Sequence, residues 1–211
     1  MVILGRFGTQ RTLRIVYGGP AGGGKTTNVQ ELHRRLNPAF PADRSELNGT
    51  DAAFRFDLLM LFLARPGGPP LIVKVYTLPD PEKHPALCEV LLAQAQGIVF
   101  VADSGRGRQA DNLGSFDPLR KRYMAGKTPG APPVVVQFNK RDLPDRIPEA
   151  EVFHGWRTER TPVLFATARA GEGVLETFEE ILRRVHRACD LARHGMAERS
   201  LLRAVGLEVG L

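Results

Sequence analysis

Cysteine is nearly absent from this chain. Cys88 and Cys189 are the only two, and they have neither metal-ligand spacing nor the numbers for a disulfide framework. A disulfide-stapled secreted domain and a thiolate zinc site are therefore excluded, and a reducing cytoplasm is the default compartment. Long apolar runs are missing too: the longest are strand-sized, far short of the ~20 residues of a membrane span, so stable membrane insertion is not expected. The opening "MVILGRFGTQ" lacks the positive start and apolar stretch of a signal peptide. No internal repeat or low-complexity segment occurs. The formal net charge is +6, yet no dense Lys/Arg block with interleaved aromatics accompanies it, so nucleic acid is not an expected partner. The arginines between Arg183 and Arg203 read as a solvated helix face, with peripheral contact to a membrane or an acidic partner as the alternative. His84, His154 and His186 have no metal spacing, and Trp156 reads as a core residue.

What is present is alternation. The 211 residues suffice for one domain with a real core. "TLRIVYG" (12–18) reads as a strand, and Lys25 to Leu36 as a helix with Val29, Leu32 and Leu36 on one face. "FRFDLLMLFLA" (54–64) and "PLIVKVYTL" (70–78) read as a hairpin around "RPGGP". The continuous apolar runs "GIVFVAD" (97–103) and "PVVVQFN" (133–139) suit strands covered on both faces. "PVLFAT" (162–167) is the last strand. Helices are expected over 84–95, 109–125, near 148–157, and from Val174 to about Arg193, and residues 37–51 read as a long mobile loop. The fold class is α/β: a mostly parallel six-stranded sheet with one antiparallel hairpin and helices on both faces. The domain is expected to span 1–194, leaving 195–211 as a tail that is either a short helix or a frayed end.

"GGPAGGGKTT" fits G-x-x-x-x-G-K-[ST] without mismatch, with a strand before it and a helix after it. The glycines allow backbone N–H groups to turn around phosphate oxygens, and the helix N-terminus adds positive potential. Gly19, Ala21, Gly22, Gly23, Gly24, Lys25, Thr26 and Thr27 are the candidate phosphate-binding residues. Lys25 reaches the outer phosphates and the Thr26 hydroxyl ligates Mg²⁺.

Such a loop does not choose the base. "VVVQFNKRDLP" does: Asn139-Lys140-Arg141-Asp142 matches N-K-x-D at the end of a buried strand. A carboxylate at Asp142 can accept from both N1–H and the exocyclic amine of guanine, a donor pair that adenine lacks. Thr167-Ala168-Arg169, after the last strand, completes the guanine set as a turn offering a backbone N–H to the base carbonyl. The expected ligands are GTP or GDP with Mg²⁺.

Taken together, "RIVYGGPAGGGKTTN", the "HRR" of the next helix, "VYTLP", "GIVFVADS" and "VVQFNKRDLP" resemble the bacterial MglA-type small GTPases over most of residues 10–190. That family has Thr where most small GTPases begin D-x-x-G, and Thr77 reproduces it. The resemblance implies a Ras-like P-loop fold and switching between GDP and GTP. It further implies a roadblock-type partner that stimulates hydrolysis, and a register shift of the strand near 54–64 between nucleotide states. Two departures stand out. After Thr77 the family continues Pro, Gly, Gln; here Pro79 is kept, but Asp80 stands for the Gly that meets the γ-phosphate and Pro81 for the Gln that orients water. In the first switch, Ala52 and Ala53 occupy the places of the family's Arg and Thr; Thr50, for closing on Mg²⁺, or Arg55 is the substitute candidate, though neither matches the motif.

The expectation is therefore a guanine-nucleotide-binding regulatory protein of small-GTPase type, with weak or absent intrinsic hydrolysis, in bacterial polarity or motility signalling. The alternatives are an active GTPase completed by a roadblock-type partner, and a pseudo-GTPase scaffold in which nucleotide is structural.

Overall fold

The computed structural model describes residues 5–7, 10–36, 43–49, 52–65, 68–124, 130–156, 161–189 and Glu198. Its strands are β1 (Gly5–Phe7), β2 (Gln10–Gly18), β3 (Asp43–Gly49), β4 (Ala52–Arg65), β5 (Gly68–Thr77), β6 (Gly97–Asp103), β7 (Val134–Asn139) and β8 (Val163–Phe165). The helices are α1 (Lys25–Leu36), α2 (Pro85–Ala93), α3 (Gln109–Leu119), α4 (Glu149–Trp156) and α5 (Val174–Ala188).

The sheet runs β3-β4-β5-β2-β6-β7-β8. Neighbours from β5 to β8 are parallel, and β4 is antiparallel to β5. This is the expected α/β class, with six of the strands where the periodicity puts them. Two more extend it. β1 pairs antiparallel with the start of β2, and β3 pairs antiparallel with β4 from Asp43↔Leu58 to Gly49↔Ala52. Seven of the fifteen residues of the expected 37–51 loop thus form a strand. Asp43–Gly49 is polar apart from Leu47, so it carries no alternation signal, and the ladder with β4 supplies the order. The tail from residue 195 lies outside the described residues except for Glu198, which pairs with Arg183 of α5. The helix expected over 109–125 is α-helical to Leu119 and passes at Arg120–Met124 into a wider π-helical turn just after Pro118.

Alternation along the buried strands sorts the core into two layers. Leu13, Ile15 and Tyr17 of β2 join Val99 and Val101 of β6 under α1 and α5. Val16, Ile98, Phe100 and Phe138 face the other way, towards α2, α3 and α4. α5 presents Val174, Phe178, Ile181, Leu182 and Val185, all fully buried, at helical spacing. It packs so close that a Cβ on Gly97 would lie 2.6 Å from Val185 and 2.9 Å from Ile181. Trp156 is a core residue as expected: its ring lies against Phe100, Phe116 and Phe138 at centroid distances of 6.0, 4.9 and 5.2 Å. The parallel strands end together, so the loops after β2, β6, β7 and β8 gather at one edge, the usual ligand site of open α/β sheets.

Candidate nucleotide site

The loop after β2 is shaped by contacts that only glycine permits. Gly19 has φ 134°, and a Cβ there would lie 2.2 Å from the Val101 carbonyl. Gly24 has φ 101°, with Asn139 Nδ2 2.1 Å from where its Cβ would be. The chain therefore passes against β6 on one side and the N-K-x-D loop on the other. At Gly22, φ 74°, nothing lies within 4 Å of a Cβ position, which leaves an open rim for a ligand. Lys25, at the first position of α1, donates from Nζ to the Gly19 and Pro20 carbonyls at 2.9 and 3.0 Å. Burial holds its pKa below the ordinary lysine value, opposed by the nearby Asp80 carboxylate and the Cys88 thiol. A desolvated ammonium at the start of a helix favours an anion. Thr26 is exposed on the first turn.

Asn139 joins three loops. Its Nδ2 donates to the Gly23 carbonyl at 3.0 Å, and its Oδ1 accepts from the Ala168 amide at 2.9 Å. The Asn139 side chain is 3% exposed. Lys140 takes a left-handed backbone, φ 66°, and its Nζ reaches Asp103 Oδ2 at 2.7 Å. Asp142 sits at the rim, with its Oδ2 2.8 Å from Arg169 Nη2. Arg141 stays below, over the Phe165 ring at 4.8 Å and donating to the Ile147 carbonyl at 2.8 Å. The Thr167-Ala168-Arg169 turn closes through the Ala170 amide to the Thr167 carbonyl at 2.8 Å. The phosphate loop, the base-reading motif and the last turn are thus brought together.

The switch candidates divide. Thr77 is buried at the end of β5; its Oγ1 accepts from the Asp57 amide at 2.8 Å and donates to Asp57 Oδ2 at 3.3 Å. A carboxylate therefore reaches this strand end from β4. Pro79 is buried, and its carbonyl accepts from the Cys88 thiol at 3.5 Å, a thiol whose pKa burial raises. Asp80 closes the following turn: its Oδ1 accepts from the Glu82 amide at 3.1 Å and its carbonyl from the His84 amide at 2.9 Å. Pro81 is exposed. Ala52 and Ala53 lie in β4, opposite Gly49 and Asn48 of β3. Thr50 lies outside the described residues.

Several supporting residues escape motif reading. Gln137 of β7, fully buried, donates to Asn28 Oδ1 at 3.0 Å and Thr177 Oγ1 at 2.9 Å. Asn28 in turn donates to the Gly24 carbonyl at 3.0 Å. A lone Gln inside the apolar run "VVVQFN" and a buried Asn beside Val29 are the signals that mark them. Asp103, the last residue of β6, and Arg108 beyond it carry no such mark.

No protein-family model matches the chain. It is 32% identical over 174 residues to the mutual gliding-motility protein MglA of Myxococcus xanthus (strain DK1622), an alignment covering 82% of this chain and 89% of the relative.

Proposed function

The chain belongs to the MglA-type bacterial Ras-like small GTPases, and on that premise we propose that it is a guanine-nucleotide-binding regulatory protein with weak or absent intrinsic GTP hydrolysis, working in motility or polarity signalling. The observation that carries the nucleotide reading is Asn139, which ties the phosphate loop to the Ala168 amide. That bridge places Asp142 and the last turn at one end of a cradle whose other end is Lys25. Asp142 reads guanine by accepting its paired donors, each charge-assisted bond being worth roughly 1.5–3 kcal/mol. Arg169 must yield the carboxylate as the base enters.

Mg²⁺ prefers oxygen ligands, and the Thr26 hydroxyl and the Asp57 carboxylate fit it as groups that would hold the ion; it would supply neutralisation of phosphate charge. Lys25 supplies the fixed cation. Among the described switch residues, none supplies a group to orient water. Pro81 has no donor or acceptor on its side chain, Ala52 cannot act as an arginine finger, and Asp80 brings a negative charge whose field already reaches Lys25. A γ-phosphate would compete with that field, so Asp80 favours GDP. The missing arginine is replaceable in trans, which supports a second reading in which a roadblock-type partner completes an active GTPase.

Single-turnover hydrolysis tests both. Alone, the protein is expected at or below about 10⁻⁴ s⁻¹, and the double change Asp80→Gly with Pro81→Gln is expected to raise affinity for GTP relative to GDP. Turnover of several per minute by the unaided wild type would refute the weak-hydrolysis reading. Acceleration on adding a roadblock protein would select the second.

A further inference from the structure

Arg108, at the entry to α3, makes contacts that its exposed position does not require. Its Nη2 donates to the Ala21 carbonyl, 87 residues away in sequence, at 2.9 Å. Its Nε lies 3.8 Å from Asp103 Oδ2, and its Nη1 pairs with Asp111. The Asp103 carboxylate is buried, 4% exposed, and the same Oδ2 receives Lys140 Nζ at 2.7 Å.

The peptide unit is planar and trans, so a carbonyl and the N–H of the next residue point in opposite directions. A donor that holds a carbonyl outward therefore turns the following amide inward. In this loop Lys25 holds the Gly19 and Pro20 carbonyls, Asn139 holds Gly23, and Asn28 holds Gly24. The Ala21 carbonyl is the one that Arg108 holds. The next amide belongs to Gly22, the residue with open space around it.

We propose that Arg108 is a positioning residue of the nucleotide site: by holding the Ala21 carbonyl outward it turns the Gly22 amide into the phosphate cradle, and through Asp103 it links that loop to Lys140 of the base-reading motif. The inference rests on the nucleotide reading above. An ordinary surface ion pair predicts something different. The Arg108–Asp111 pair, three residues apart and exposed, contributes little by itself, and losing it would leave ligand binding unchanged.

The test measures the affinities of the full-length protein for GDP and GTPγS by displacement of a fluorescent GDP analogue. Arg108→Ala is expected to weaken both roughly tenfold or more, the loss of one charge-assisted bond. Arg108→Lys, which keeps the charge but not the fork, is expected to fall between. Asp111→Ala is expected to bind both nucleotides as wild type does. Unfolding midpoints without nucleotide are expected to match across the set. Unchanged affinity in Arg108→Ala would overturn the proposal. So would an equal loss in Asp111→Ala, or a loss that merely tracks a lower midpoint. A wild type that binds neither nucleotide would remove the parent reading and this inference together, a result distinct from an unchanged variant.

Discussion

Tyr17 is the penultimate residue of β2, just before the phosphate loop, and its side chain is fully buried. Among the described residues its hydroxyl has no hydrogen-bond partner, and burial pushes its pKa well above the ordinary tyrosine value. A buried hydroxyl without a partner costs about 1–3 kcal/mol, whereas the ring is well packed. Tyr17→Phe keeps the ring and removes the cost, so it is expected to stabilise the protein by about 1 kcal/mol, or roughly 2–4 °C in Tm for a domain of this size. Thermal unfolding of the two proteins checks this, and a clear loss of stability in the variant would show that the hydroxyl is paired. The single-residue level was also where motif reading was most and least informative. Lys25, Asn139 and Asp142 stand in strings whose chemistry dictates their types. Arg108 stands in "SGRGRQ", where nothing local reveals that its guanidinium ends on a loop 87 residues earlier.

At the level of elements, α1 shows how one helix supports two loops. Its N-terminus carries Lys25, and its outer face carries Glu31, which accepts from Arg34 at 2.8 and 2.6 Å and from Arg35 at 2.5 Å. These bonds, Arg34's foremost, hold the Glu31 carboxyl down to about 2 from its usual 4.5. The cluster lies against the guanine-loop end: a Cβ on Gly171 would meet Arg35 Nη2 at 1.9 Å and Glu31 Oε1 at 2.3 Å. A carboxyl with a depressed folded pKa stabilises the fold above its unfolded pKa, and that contribution is lost as pH falls through the folded value. Glu31→Gln is therefore expected to be less stable than wild type at pH 7. The gap should narrow below about pH 4.5 and close near pH 2. Urea midpoints across that range measure it, and a gap that stays constant with pH would contradict the assignment. Elements also differ in how far composition announces them. β6 and β7 are continuous apolar runs and were plain. β3 is polar and gains its order from hydrogen bonds to β4, a tertiary cause that no local pattern carries. The Asn28–Gln137–Thr177 network likewise joins residues 109 and 40 apart.

For the whole molecule, the decisive property is that four loops from across the chain converge at one sheet edge. Binding there should stabilise the folded state by mass action, by about 2.7 kcal/mol at a hundredfold excess over Kd. GDP at that level is expected to raise Tm by roughly 5–10 °C, while ADP at the same concentration leaves it unchanged. Asp142→Ala should lose most of that difference. Equal shifts with ADP and GDP in the wild type would refute the base-reading role of Asn139 to Asp142.

The aromatic cluster beneath the sheet gives the chain a built-in optical property. Trp156 is the only tryptophan, and its indole sits at the end of α4 against Phe100 of β6 and Phe138 of β7. Three residues beyond Phe100 lies Asp103, and directly after Phe138 comes Asn139. All the indole fluorescence of this protein thus arises from one point on the face that carries α2, α3 and α4, a short way along two strands from the side chains that join the base motif to the phosphate loop. No label has to be introduced to watch that point.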